Sequence, residues 1–271
     1  MPTEPVHAAS NLRRELVRSE SLVAEELIAH PDLPPRGDTT TRQVAITYAG
    51  VFEFQVGRVR TWVDPSRVLF AEANQSFRDH HVIPGMGHQS VILAPSRDAL
   101  EELCAGSDIQ FENRVARASS RLHLLVQLLR RSADNLEAEE LGFEVLTECL
   151  RGTTRTNNFD TRCVRRAKAI LHNCCEGRLT LSQVAEQVGV TPVYLTQTFK
   201  RAEGVSLYRY QTRLRLARAL TRHPHQNSIT ALALECGYSS HSHFAAAFRA
   251  EFGVTPSEFR GARSLSILRL A

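Results

Sequence analysis

One helix-turn-helix pattern occurs twice in this chain, and the repeat limits what its second half can fold into. The first copy, residues 181–200, reads LSQVAEQVGVTPVYLTQTFK, and the second, residues 229–249, reads ITALALECGYSSHSHFAAAFR. Each has a small residue at the fifth position of its first helix, Ala185 and Ala233. Each has a glycine four residues later, Gly189 and Gly237, and both pairs lie 48 residues apart. The alanine lets the two helices of a unit cross closely, and the glycine supplies the positive φ of a tight turn. Two such units in one chain can present two reading helices to successive major-groove segments of duplex DNA without a partner.

Charge is divided in the same way as the repeat. Residues 161–271 hold 16 Lys and Arg against 6 Asp and Glu, whereas residues 1–160 hold 17 against 23. A basic second half fits a polyanion, because phosphate neutralisation supplies most non-specific affinity for DNA. A merely solvated basic surface is the plainer alternative. At 271 residues the chain has room for two ordinary domains. No apolar run approaches the roughly 18 residues of a membrane span. The opening MPTEPVHAASNLRRE lacks the apolar core of a signal peptide. The expectation is a cytoplasmic protein with no membrane partner. The six cysteines show no CxxC spacing, which argues against zinc. Burial as small hydrophobes is expected for most of them, with vicinal Cys174 and Cys175 as a weaker thiol-sensor alternative.

The texture changes along the chain. Residues 1–41 read as a mobile arm, with an amphipathic helix at 12–29 and then the breaker-rich HPDLPPRGD. Between 42 and 94, short β-branched and aromatic segments alternate with turn signals such as Asp64-Pro65 and Pro84-Gly85, as in a small β-barrel or sandwich. Ser96 or Asp98 can cap a short helix. A long helix over 112–131 and a second over 133–150 predict an αα-hairpin, packed on the barrel or on a partner copy. The domain plan is therefore 42–150 as a sensor and dimerisation unit, 151–160 as a linker, 161–262 as an all-α DNA-binding unit and 263–271 as a tail. The fold class is α+β.

In the second half, Thr180 and Thr191 are predicted N-caps, with Gln183 completing a capping box and Pro192 in the first turn of the next helix. Leu195 and Phe199, four residues apart, must point inward. That phase turns Val193, Thr196, Gln197, Lys200 and Arg201 outward beside the cap Thr191. Gln can bond an adenine edge and Thr can touch a thymine methyl, whereas Lys200 and Arg201, late in the helix, suit phosphates. Residues 206–221 form one helix joining the two units, about 24 Å long at 1.5 Å per residue. In the second unit Phe244 and Phe248 replay the inward pair. The outward set becomes Ser240, His241, Ser242, Ala245, Ala246 and Arg249, which is poor in long polar side chains. Weaker base reading is expected there. His241 and His243 face apart on a helix, so they make a poor metal pair.

The stretch 233–260, ALECGYSSHSHFAAAFRAEFGVTPSEFR, resembles the signature of the AraC/XylS family of bacterial transcription regulators, and Gly204-Val-Ser206, Tyr208, Tyr210 and Arg213 match as well. The resemblance covers about 100 residues. It implies a seven-helix domain, double-stranded promoter DNA as the target, and activation through contact with RNA polymerase. Residues 50–57 (GVFEFQVG), Asp64-Pro65 and Phe70 are similar, more loosely, to the cupin-like sensor domains fused to such units. That similarity implies a small-molecule effector and a homodimer, for which 112–150 is the candidate surface. Phe52, Phe54, Trp62, Phe70, His80, His81 and His88 are candidate pocket residues, with core packing as the simpler reading of the aromatic ones. A metal-binding cupin needs an HxH with a downstream Glu and a later His, and His80, His81 and His88 lack that pattern. No metal, cofactor or catalytic residue is expected. The alternatives to a regulator are a metal-dependent cupin enzyme with a DNA-binding tail and an architectural DNA binder that ignores metabolites.

Overall fold

The computed structural model describes residues 10–104, 111–112, 114–151, 161–174, 179–222 and 228–261. The first half is built on strands. β1 (Leu12–Arg18), β2 (Leu22–Ile28), β4 (Gln43–Ala49), β7 (Arg67–Ala71), β9 (Gln89–Pro95) and β10 (Arg114–Arg117) form a six-stranded antiparallel sheet in the order β1-β2-β9-β4-β7-β10. β3 (Arg36–Thr39), β5 (Phe52–Val56), β6 (Val59–Val63) and β8 (Gln75–His81) form a second sheet in the order β3-β8-β5-β6. The two sheets face each other and neither closes on itself, so of the small barrel and the sandwich that the sequence allowed, the structure is an open two-sheet sandwich.

Two further expectations change. The segment 12–29 is a β-hairpin, β1–β2, at the edge of the large sheet, and β3 pairs with β8. It therefore belongs to the sandwich, where an arm with an amphipathic helix was expected. LRRELVR and LVAEELI each fit helical spacing as well as strand spacing. Pairing with β9 decides the matter, because it buries Leu22, Ala24 and Leu27 and gives β2 a hydrogen-bonded neighbour on both sides. The long helix expected from 112 begins later. Arg114–Arg117 adds to the sheet edge as β10, and α2 spans Ser120–Arg131 with Ser119 as its N-cap. Residues 152–160 and 262–271, which include most of the expected linker and all of the tail, lie outside the described residues, as does Cys175.

The large sheet is covered on both faces, and this is why β7 is buried at every position. On one face Val44, Ile46, Val68, Val91 and Leu93 pack on α2 and on α3 (Asn135–Arg151). On the other, Ala45, Leu69, Ala71 and Val115 meet Phe52, Phe54 and Val63 of the small sheet. The αα-hairpin expected from the sequence is present, and Gly142 is where α3 crosses Leu22 closely. α1 (Arg97–Leu103) is capped by Ser96, whose hydroxyl accepts from the Ala99 amide.

Among the described residues the second half is built of helices and turns: α4 (Arg162–Asn173), α5 (Leu181–Val188), α6 (Pro192–Glu203), α7 (Leu207–Arg222), α8 (Ile229–Glu235), α9 (His241–Phe252) and α10 (Pro256–Gly261). No helix among the described residues is long and apolar enough to cross a membrane. The first helix-turn-helix unit has its own core, built from Val164, Ala185, Leu195, Phe199 and Tyr210. The second shares the core of the sandwich and hairpin, with Phe244, Phe248 and Phe259 in one cluster with Leu122 and Leu125.

Three backbones cross tightly where the sandwich meets the loop before β9. Gly50 has φ +78°, and a Cβ there would run into the carbonyl oxygen of Gly87, which itself lies against the carbonyl of Ala29. Gly50→Ala should therefore cost about 2 kcal/mol or more of stability, read as a lower urea midpoint with an unchanged slope. A wild-type midpoint would show that this crossing is loose.

Candidate nucleic-acid interface

The first reading head is organised by local chemistry. Thr180 caps α5 in a full capping box with Gln183, and Gly189 closes it in the left-handed region at φ +84°. Thr191 caps α6 by accepting from the Tyr194 amide, with Pro192 in the first turn. Leu195 and Phe199 are fully buried. As their phase required, Val193, Gln197, Lys200 and Arg201 are exposed along the opposite side. The hydroxyl of Thr196 donates to the Pro192 carbonyl at 2.9 Å, so the side chain has its methyl free for contact. Tyr194, 52% exposed beside Val193, belongs to the same face and was missed, because an aromatic next to an apolar residue reads as core.

The second head repeats the plan with one more residue in the turn. Ser240 caps α9 by accepting from the His243 amide, and Phe244 and Phe248 point inward. His241, Ser242, His243, Ala246 and Arg249 are exposed and Ala245 is half-buried. His243 lies edge-on to Tyr238, with ring centroids 5.4 Å apart. Cys236 is buried and ends α8, in the packing role expected of it.

α7 buries Leu207, Tyr210 and Leu214 against the first unit. It also buries Leu216 and Ala219 on its far side, because the sandwich and α2 cover that face as well. Two of its arginines are committed internally: Arg209 and Arg213 both pair with Glu251 of α9, at 2.6 and 3.0 Å. The hydroxyl of Ser120, at the start of α2, donates to the same carboxylate at 2.5 Å.

The first head is joined to the sandwich by a buried set of charges. Asp64 and Arg67 come from the β6–β7 turn and the start of β7, Lys168 from α4, and Glu203 from the last turn of α6. Lys168 reaches Asp64 at 3.0 Å and Glu203 at 2.6 Å, and Arg67 reaches Glu203 at 2.8 Å. Two cations and two anions thus balance inside the protein, with Asp64 and Lys168 wholly buried. Asp64 Oδ2 also accepts from Trp62 Nε1 at 2.7 Å and from the Tyr210 hydroxyl at 3.2 Å. Its Oδ1 accepts from the Ser66 amide at 2.8 Å and hydroxyl at 2.5 Å. Burial alone would raise the Asp64 carboxyl. Lys168, then His172 and Arg67, outweigh it and hold the group ionised far below the usual carboxylate range. His172 lies 3.0 Å from the Tyr210 oxygen, and that hydroxyl donates to Asp64. His172 is therefore the donor to Tyr210, and burial lowers its pKa to about 4.

The candidate pocket residues separate. Phe52, Phe54 and His88 line a cavity of about 170 Å³ between the two sheets. Trp62 is taken up by Asp64. Phe70 packs edge-on to Phe111 in the core on the far side of the large sheet, and His80 bonds the Gln55 side chain at 2.6 Å. His81 stands behind His88 and does not line the cavity. No group of three His, Cys, Asp or Glu side chains among the described residues converges as metal ligands. A second space, about 540 Å³, lies between the sandwich and α7.

Two helix-turn-helix units sharing one connecting helix define a double-headed DNA-binding domain. A helix-turn-helix domain family model matches residues 184–262. The transcriptional activator RhaS of Salmonella dublin is 32% identical over 161 residues, covering 55% of this chain and 57% of that protein. The chain thus spans somewhat over half the length of this curated relative. Among solved structures, an AraC-type regulator domain from Chromobacterium violaceum is 32% identical, covering 38% of this chain and 93% of that one, at a TM-score of 0.36. ToxT of Vibrio cholerae covers 93% of this chain and 97% of its own at 11% identity and a TM-score of 0.36. Through its second half, this chain is similar to AraC-type transcription regulators.

Two outcomes test the anchorage. Lys168→Met takes the paired cation from the wholly buried Asp64, leaves Glu203 to Arg67, and should cost about 3–5 kcal/mol of unfolding free energy, measured by urea titration. A loss under 1 kcal/mol would mean that water reaches the cluster. His172 is neutral when folded but takes a proton below about pH 6.5 when unfolded. The unfolded state thus binds more protons, so stability should fall between about pH 6.5 and 4. His172→Gln should remove close to one proton from that slope. An identical slope in wild type and variant would show that His172 titrates normally.

Proposed function

We propose that this chain is a sequence-specific transcription regulator, acting as an activator at promoter DNA and governed by a small molecule held in its first half. The observation that carries this reading is the exposed row Gln197, Lys200 and Arg201 on α6, in a unit matched by a helix-turn-helix family model and repeated 48 residues on. α6 reads bases through Gln197, with Val193 and the Thr196 methyl as apolar contacts. Lys200 and Arg201 hold phosphates. Thr191 and Ser240 serve as caps whose helix N-termini face the backbone of the duplex. His241, Ser242, Ala245 and Arg249 make the more permissive second contact.

The domain division supporting this reading runs from the sandwich and hairpin to the helical unit at 161–262, with β1–β3 added to the first unit. RNA polymerase is the partner that an activator requires, and the cytoplasm is its compartment. A homodimer would use the outer face of α3, where Leu136, Glu140 and Glu144 are exposed, since α2 spends its apolar surface within its own chain. The curated relative is an activator, which favours a regulator over an enzyme.

The test is selection of bound genomic fragments by the full chain, followed by footprinting at two salt concentrations. Two protected segments about one helical turn apart, with a shared sequence, are expected. Salt-sensitive binding without a shared sequence would leave an architectural binder. On the selected site, Gln197→Ala should lose about 1–3 kcal/mol of discrimination at one base position. Lys200→Ala should weaken all sequences alike and lower the salt slope by about one. Base-selective loss in Lys200→Ala would contradict its phosphate role.

A further inference from the structure

The cavity between the sheets contains an unanswered hydrogen-bond acceptor. Asp79, on β8, is 3% exposed, and its Oδ1 has no hydrogen-bond partner. Buried polar atoms are rarely left this way, because the desolvation cost goes uncompensated. The groups behind it define what is missing. His81 Nδ1 lies 2.8 Å from the Pro31 carbonyl, which can only accept, so Nδ1 bears a proton. His88 Nδ1 lies 3.2 Å from His81 Nε2, and His88 Nε2 lies 3.5 Å from Asp79 Oδ2. Burial, then His81, keeps the His88 ring neutral, with its pKa lowered to about 3, and burial raises the Asp79 carboxyl well above its ordinary range.

The cavity therefore offers the unanswered Asp79 carboxyl to a guest, with His88 beside it. Its basic residue, Arg13, already pairs with Glu25 at 2.8 Å, and Asp38 adds a second carboxylate to the lining. The walls are aromatic and preformed. Phe52 stacks on His88 with ring centroids 3.8 Å apart, and Phe54 stacks on Phe77 at 5.4 Å. Aromatic faces attract cations, and an ammonium group brings donors to the unanswered Asp79 oxygen. A carboxylate would meet two acids, Asp38 and Asp79.

We propose that this cavity binds a compact primary amine, its nitrogen seated on Asp79 and His88 and its apolar body between Phe52, Phe54 and Phe77. An amine entering as its ammonium ion pairs with the ionised Asp79 carboxylate, and one entering as the free base takes up the carboxyl proton, so the same ammonium carboxylate pair forms either way. At about 170 Å³ the space holds a body of about one aromatic ring. The assignment rests on reading the first half as a sensor, and it gives that sensor a ligand class.

Isothermal titration of the full chain with 2-phenylethylamine, 2-phenylethanol and phenylacetate tests it. Saturable binding of the amine, at least tenfold tighter than the alcohol and with no binding of the acid, is expected. Asp79→Asn keeps the shape and one acceptor without the charge, so amine affinity should fall at least tenfold while alcohol affinity stays near wild type. Ala71→Val fills the cavity from β7 and should abolish amine binding without lowering the melting temperature, which covers the case of an unfolded Asp79 variant. Preference for the acid, wild-type amine affinity in Asp79→Asn, or no binding of the amine would overturn the proposal. Operator affinity measured with and without the amine separates the two readings. Amine binding with unchanged DNA affinity would leave the site standing and remove the sensor. Specific operator binding by a chain that takes up no amine would leave the regulator standing and remove the site.

Discussion

The buried quartet of Asp64, Arg67, Lys168 and Glu203 is the interaction on which the arrangement of this protein depends. Charges brought out of water cost several kcal/mol each unless every one is paired and hydrogen-bonded. Here each cation sits between or beside carboxylates, and the remaining lone pairs of Asp64 are met by Trp62, Ser66 and Tyr210. Such a cluster tolerates little displacement. It therefore sets the orientation of α4 and the end of α6 against the sandwich, where an apolar contact would let them slide. A buried ionic contact of this kind favours a particular geometry more than it adds stability.

The two reading heads are held by different physics. The first has its own apolar core and meets the sandwich through the quartet and through Arg165 on Glu53 at 3.2 Å. The second has no separate core and shares that of α2, α3 and the large sheet. Between them runs α7, buried on two sides, with Arg209 and Arg213 locked on Glu251. A change in the sandwich can reach the first head through charge geometry and the second through packing. The exposed faces of α6 and α9 stay open while both anchors are made.

The helix-turn-helix units were legible because their information is local. Caps at Thr180 and Thr191, the turn glycine Gly189, and the inward pairs Leu195/Phe199 and Phe244/Phe248 each act within a few residues, and each stands where its spacing put it. Among the pocket candidates only Phe52, Phe54 and His88 came together. Trp62 and Phe70 looked equivalent to them as aromatics at strand spacing, but one serves the quartet and the other the far face of the sheet. Asp79, the residue that gives the cavity its chemistry, carried no signal, because an aspartate in QSFRDHH reads as solvent-facing until Phe54 is placed opposite it.

The sequence by itself determined the helical half: two repeated units, their turns, their outward side chains and the basic charge that accompanies them. It also marked 42–94 as strands and placed the hairpin that follows. Only the tertiary structure decided that 12–28 is a β-hairpin, that the sandwich is open, that Lys168 is an internal cation and that Asp79 faces a cavity. The physical reason is range. A cap or a helical stripe is satisfied by neighbours in the chain, whereas a strand needs a partner, and a buried charge needs counter-charges that lie 35 and 104 residues away for Lys168.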